Sequence, residues 1–160
     1  MTRLGITGHQ WRPEIDWNWV EEEIDGAFVE LANVDLAYSS LAVGADQIFA
    51  DVALRRGVKV VAVIPLVDYE RFFEGSGRET YDRLLLSAEK IELRGDSDPQ
   101  KAFFEAGRYI VDHVDRLIAV WDGKPAQGVG GTADIVSYAE TSRRPTLHLD
   151  TAHHSKKWIF

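Results

Sequence analysis

Residues 116–132 read RLIAVWDGKPAQGVGGT, and this stretch decides the fold. It opens on a nearly unbroken apolar run, RLIAVW, the pattern of a strand buried on both faces. A turn follows that carries Gly128, Gly130 and Gly131, and beyond it Thr132, Ile135, Val136 and Ala139 keep helical spacing. A strand that hands over to a helix through a glycine turn belongs to a parallel sheet, whose faces must be covered by helices.

Outward from there the same alternation repeats. Residues 58–65, VKVVAVIP, form a second doubly buried strand pattern. Residues 3–8, 34–41 and 145–149 read as further strands, and 90–93 as a short one. Trp17, Val20, Ile24, Ala27, Phe28 and Leu31 keep helix spacing, as do Ala45, Ile48, Phe49 and Val52, which Gly57 stops. Ser76 and Glu79 have the spacing of a capping box, and Asp98-Pro99 predicts a cap with proline in the first turn. The expected architecture is a Rossmann-like α/β fold: a doubly wound, mainly parallel sheet with helices on both faces. Residues 1–150 are expected to form a single domain and 151–160 a C-terminal tail.

The chain has 160 residues, 45% of them hydrophobic, enough to bury a core. Its net charge of −8 and the lack of a clustered Lys/Arg stripe argue against duplex nucleic acid as a partner. No cysteine is present, which removes disulfides, thiolate metal sites and Cys nucleophiles. Neither a signal pattern nor an apolar run of membrane-spanning length is seen, so the expected location is the cytoplasm, away from membranes. Nothing in the sequence requires a cofactor, and His148, His153 and His154 lack the companions of a metal site.

In open α/β sheets ligands sit beyond the carboxyl ends of the strands. Small and polar residues gather at that edge. Gly8 and His9 follow the first strand, and Gly44, Ala45 and Asp46 open the helix after the second. Asp122, Gly123 and Lys124 then lead into the turn of Gly128, Gly130, Gly131 and Thr132. These residues are the expected ligand-binding set. Glycines let a ligand approach the backbone, and the next helix offers unpaired N–H groups, the positive end of its dipole and the Thr132 hydroxyl. The expectation is phosphate binding; the plainer reading is a connection that merely turns the chain. For Asp46 the alternatives are ribose contact and a carboxylate that favours its own helix dipole. His9 is either a donor or acid/base group, or a structural histidine. Arg108, inside a helix beneath the cleft, either reaches an anion or extends to solvent. No G-x-S-x-G elbow or Walker ending occurs, and the turn after the first strand carries only Gly8, so the dinucleotide fingerprint is missing there.

Together, residues 5–9 (GITGH), 39–46 (SSLAVGAD) and 128–132 (GVGGT) resemble the SLOG superfamily. That superfamily groups DNA-processing proteins of the Smf type, LOG-type phosphoribohydrolases and bacterial defence sensors. The resemblance runs from the first strand through the helix after the glycine turn. It implies a Rossmann-like sheet whose glycine loop binds nucleotide phosphate, and relatives that pair through helices. LOG enzymes cut the N-glycosidic bond of nucleoside monophosphates with an Arg and a Glu, the Glu standing three places after the loop threonine. In this chain that position is Ile135, Asp134 falls one residue early, and Arg108 is the nearest arginine.

Two functions follow as expectations. The first is a sensor-like module that binds a nucleotide or nucleotide-derived small molecule. The second is an N-glycosidase acting on a nucleoside monophosphate or ADP-ribose-like compound, with Asp46, Asp122 and Arg108 as its candidate catalytic residues. The five tryptophans and the terminal Trp158-Ile159-Phe160 add the expectation of a homodimer.

Overall fold

The first strand, β1 (Thr2–Gly8), lies in the middle of the sheet, with β2 (Val34–Ser39) on one side and β5 (Arg116–Trp121) on the other. The computed structural model describes residues 1–125 and 131–160. Between β1 and β2 runs α1 (Trp17–Glu30), and α2 (Ala45–Arg55) leads to β3 (Lys59–Ile64). A short 3₁₀ turn (Tyr69–Phe72) and α3 (Gly75–Leu86) precede β4 (Ala88–Glu92), and α4 (Pro99–His113) precedes β5. Last come α5 (Thr132–Thr141), β6 (Thr146–Asp150) and β7 (Ser155–Ile159). The strand order is β4-β3-β2-β1-β5-β6-β7, parallel throughout except for β7. The expected doubly wound α/β architecture is therefore the observed one.

Burial explains why the central strands were readable. In β5, Leu117, Ile118, Ala119 and Val120 are all buried, and in β3 residues 60–64 are. One face packs against Val20, Ile24, Phe28 and Phe49 of α1 and α2, the other against Ala106, Ile110, Ile135 and Ala139 of α4 and α5. At about 25 cal/mol per Å² of apolar surface, such burial is the main force holding helices on both faces.

Local signals held in part. Asp98 caps α4, its carboxylate accepting from Gln100 N at 3.0 Å, with Pro99 in the first turn. Gly57 stops α2 at φ +72°. The Ser76–Glu79 capping box does not form: α3 begins at Gly75, Glu74 is its N-cap, and no side chain caps it. The strand expected over 34–41 stops at Ser39, because Leu41 turns into the left-handed region at φ +61°.

Residues 151–160, expected as a tail, instead hold β7, paired antiparallel with β6. The connection over 151–154 is far too short for a crossover, so only a hairpin can form. Asp150 fixes that turn by accepting from Ala152 N at 2.9 Å and His153 N at 3.1 Å.

Gly44 sets where α2 begins. It is the N-cap at φ +116°, it bridges to Gln10, and a Cβ there would lie 2.7 Å from both His9 O and Trp11 N. Strain and backbone collision act together, so Gly44→Ala is expected to lower stability by about 2–5 kcal/mol. Chemical denaturation of the two proteins measures it, and an unchanged midpoint would refute the tight clasp between β1 and α2.

Candidate functional site

The chain winds in opposite directions from β1: through β2, β3 and β4 on one side, and through β5 and β6 on the other. The connections that leave the carboxyl ends of β1 and β5 lead to helices on opposite faces of the sheet, which leaves the edge beyond β1 open. A cavity of about 380 Å³ opens at the carboxyl end of β1, with α2 on one side and α4 and α5 on the other. Its floor is the end of β1, Ile6, Thr7 and Gly8. Gly8 is required by packing: a Cβ would fall 2.7 Å from that of Ala45 and 2.8 Å from that of Val120. On the α2 side stand Ser40, Ala42, Val43 and Asp46, and on the α5 side Gly131, Thr132 and Ile135. The remaining wall is aromatic: Tyr69, Phe72 and Phe73 after β3, with Phe103 of α4.

The four rings pack edge on. Phe72 and Phe103 meet at 5.2 Å and 80°, Tyr69 and Phe73 at 5.1 Å and 86°. Tyr81 backs them by stacking on Phe73 at 4.2 Å. Phe72 remains exposed, so part of this wall faces the opening. These residues escaped the sequence reading, although Pro65 had marked the correct edge. The signal was three aromatics within 69–73, in a loop that a buried strand delivers to the ligand edge.

Asp46 is the single charged residue lining the cavity among the described residues. Protein surrounds it except toward the cavity, and that burial pushes its pKa from 3.8 up to about 7, against the pull of the Ala42 N–H. Oδ2 accepts that N–H at 3.3 Å, and Ser39 Oγ donates to the Asp46 carbonyl at 3.1 Å. Burial also raises the phenol pKa of Tyr69 well above its ordinary value, and the Asp46 charge adds to it. Across the cavity, α5 starts at Gly131, whose backbone (φ −75°, ψ 171°) is extended and which has no side-chain cap. The first N–H groups of α5 and the Thr132 hydroxyl thus offer an anion donors without any cation.

Of the expected ligand set, Gly8, Asp46, Gly131 and Thr132 line this one cavity. Gly128 and Gly130 lie outside the described residues. Gly44 and Ala45 stand behind the wall as the start of α2, Ala45 fully buried. His9 turns away from the cavity, where Asp122 N–H donates to its Nε2 at 3.1 Å. Burial first, and then the Arg12 cation, lower the His9 pKa, so a neutral ring with its proton on Nδ1 fits that bond. Asp122 stays below the usual carboxylate range although burial opposes it; the Lys124 N–H, His9 and Arg12 prevail. Its carboxylate lies 3.4 Å from His9 Nε2 and 3.5 Å from Arg12 Nη1. Gly123 and Lys124 sit on the surface beyond it and do not line the cavity. Arg108 follows Gly107, which does line the cavity, and one helical step turns it aside. It pairs instead with Glu105 at 3.0 Å and lies over the Tyr138 ring at 4.9 Å.

The Asp46 shift carries a stability consequence. Its folded pKa lies above the unfolded one, so between pH ~4 and ~7 only the folded state holds the proton. Stability therefore falls as pH rises through that window, and above it the full cost of a buried charge is present. Asp46→Asn is expected to stabilise the fold at pH 8 by up to about 4 kcal/mol and to change little at pH 4. Denaturant titrations at the two pH values measure this; equal effects at both would mean that Asp46 titrates normally.

No protein-family model matches the chain, and no curated protein does. Solved structures do. DNA processing protein A from Streptococcus pneumoniae superposes with a TM-score of 0.68 at 20% identity, over 92% of this chain and 50% of that one. The Helicobacter pylori protein of the same name gives 0.65 at 17% identity, over 92% and 64%. The molybdenum cofactor binding protein of Rippkaea orientalis gives 0.57 at 13% identity, over 92% and 75%. This chain thus spans between half and two thirds of the two DNA processing proteins. The H. pylori protein is described by its single-stranded DNA binding mode, which corrects the use of net charge made above to argue against duplex nucleic acid as a partner. Net charge sums the whole surface, whereas a strand is held by local charge and stacking, so −8 overall excludes nothing. No helix among the described residues is long and apolar enough to cross a membrane. The chain has the Rossmann-like fold that DNA processing protein A shares with the molybdenum cofactor binding proteins, in agreement with the SLOG resemblance of its sequence.

Proposed function

We propose that the cavity at the carboxyl end of β1 binds a nucleotide or a nucleotide-derived small molecule, and that the protein acts as a sensor-like binding module. One observation carries this reading: a single cavity joins the start of α5, whose N-cap is a glycine, to an aromatic wall. Phosphate is held by the N–H groups that open α5 and by the Thr132 hydroxyl, with Gly131 keeping the approach clear. A base lies against Phe72 and Phe103, where stacking contributes about 1–3 kcal/mol. The glycines at 128 and 130 extend the phosphate site in this proposal. A neighbour with this fold named for molybdenum cofactor binding supports a small-molecule role for the architecture.

A second reading, N-glycosidic hydrolysis, has Asp46 in its favour. With a pKa of about 7 the carboxyl is partly ionised at neutral pH, and it borders the cavity. There it would orient a water toward the anomeric carbon and stabilise positive charge on the sugar as the base departs with a proton. Asp122 is less suited, being tied to His9 and Arg12.

Thermal-shift screening of nucleoside monophosphates and cyclic dinucleotides identifies the ligand, and Gly131→Asp then tests the site. Extended backbone at 131 accepts aspartate, a favourable N-cap, so the fold is expected to hold or gain slightly. The added charge and the lost charge-assisted N–H contacts are expected to weaken binding at least about tenfold. Unaltered affinity would remove the phosphate from this helix. Release of free base by the wild type, abolished in Asp46→Asn, would replace the sensor reading with the enzyme.

A further inference from the structure

Asp46 has more hydrogen-bonding capacity than the protein uses. Oδ2 is occupied by the Ala42 N–H, but no donor among the described residues reaches Oδ1. The Ser39 hydroxyl, which is close by, is directed to the Asp46 backbone carbonyl instead. No cation compensates the carboxylate: burial and the Ala42 N–H govern its titration. The elements packed around the cavity present Thr7 of β1 and Gln10 beyond it, Tyr69 after β3, Gln100 of α4 and Thr132 of α5, all uncharged at neutral pH. The Tyr69 ring is clamped by Phe73, Tyr81 and Phe103, and its hydroxyl makes no hydrogen bond among the described residues. A carboxylate oxygen and a phenol that bond no described residue therefore border the same cavity.

A group in that position costs stability until something donates to it. The occupant of the cavity must bring a donor to this position, because a phosphate or carboxylate against Asp46 would be repelled. Within a nucleotide, whose phosphate goes to α5 and whose base goes to the aromatic wall, the part left for Asp46 is the sugar. We infer that Asp46 is a specificity-determining residue that accepts a hydroxyl of the ribose diol, so that the cavity selects ribonucleotides over their deoxy counterparts. Tyr69 completes the contact by bonding the neighbouring hydroxyl. This rests on the nucleotide-binding reading and narrows it to a sugar class. Discrimination of this kind is large, because a ligand lacking the hydroxyl leaves the buried acceptor unpaired.

Calorimetric titration of the full chain tests it, using the four ribonucleoside 5′-monophosphates and their 2′-deoxy and 3′-deoxy analogues. At least one ribonucleotide is expected to bind, with one of its deoxy analogues about tenfold weaker or worse. The ratio is expected to grow as pH rises through about 7, since the carboxylate accepts more strongly than the acid. Asp46→Asn keeps the side-chain shape and an acceptor for Ala42; in it the ratio should shrink several-fold and lose its pH dependence, while the melting transition stays cooperative. Equal binding of ribo and deoxy forms by the wild type overturns the inference and leaves the binding reading standing. So does a preference that Asp46→Asn retains unchanged. If no monophosphate binds, the nucleotide reading itself fails and this inference falls with it.

Discussion

The exit of β1 is tied to two neighbours at once, and the rest of the site depends on that clasp. His9 N–H donates to Val120 O at 3.0 Å, fixing the exit to β5, while Ala45 N–H donates to His9 O at 3.2 Å, fixing it to the start of α2. Trp11 N–H adds a bond to Val43 O at 3.0 Å, and Gln10 pairs with Gly44. Two glycines make this geometry accessible, Gly8 by lacking a Cβ between Ala45 and Val120, Gly44 by its positive φ. Once the clasp is made, α2 can begin only where Asp46 borders the cavity. The β1–β5 pair, in turn, directs α5 at the opposite wall.

Electrostatically the cavity is sparing. It has one carboxyl, several hydroxyls and no cation among the described residues. Arg12 pairs with Asp122, which also meets the His9 ring, and Arg108 pairs with Glu105. In the proposed function, anion recognition falls to backbone N–H groups, whose partial charges are fixed by the helix. An acidic protein can use this device without a basic surface, which is why a net charge of −8 says little about what the cavity takes.

The fold was legible because its central strands are apolar on both sides, and only parallel sheets under helices bury strands in that way. What was missed has equally physical causes. In β7, Ser155, Lys156, Lys157 and Trp158 are exposed on an edge strand, so no alternation or apolar run announces it. At the site, Gly8, Asp46, Gly131 and Thr132 converge as their positions after strands suggested. His9 diverged because a backbone N–H, that of Asp122, uses its ring, and such a contact across 113 positions leaves no local trace. The aromatic wall was hidden for the opposite reason. Tyr69 and Phe73 are buried like core residues, and Phe103 keeps the same helical spacing as its core neighbours, so only the fold reveals that they also border a cavity.

The place that would separate binding from cutting is the third position after Thr132. Where LOG-type enzymes carry glutamate, this chain has Ile135, which is buried, borders the cavity and packs into the notch that Gly107 leaves on α4. A Cβ at 107 would collide with the Ile135 side chain, so the two residues form one helix–helix contact. A carboxylate at 135 would have to leave that contact or be buried within it without a cation. The nearest arginine, Arg108, is already paired with Glu105 and stacked over Tyr138. The α4–α5 contact that closes this side of the cavity therefore favours an apolar residue there. The carboxyl that lines the cavity stands on the opposite wall, on α2. In the proposed function, an acid on that wall is left to meet the sugar.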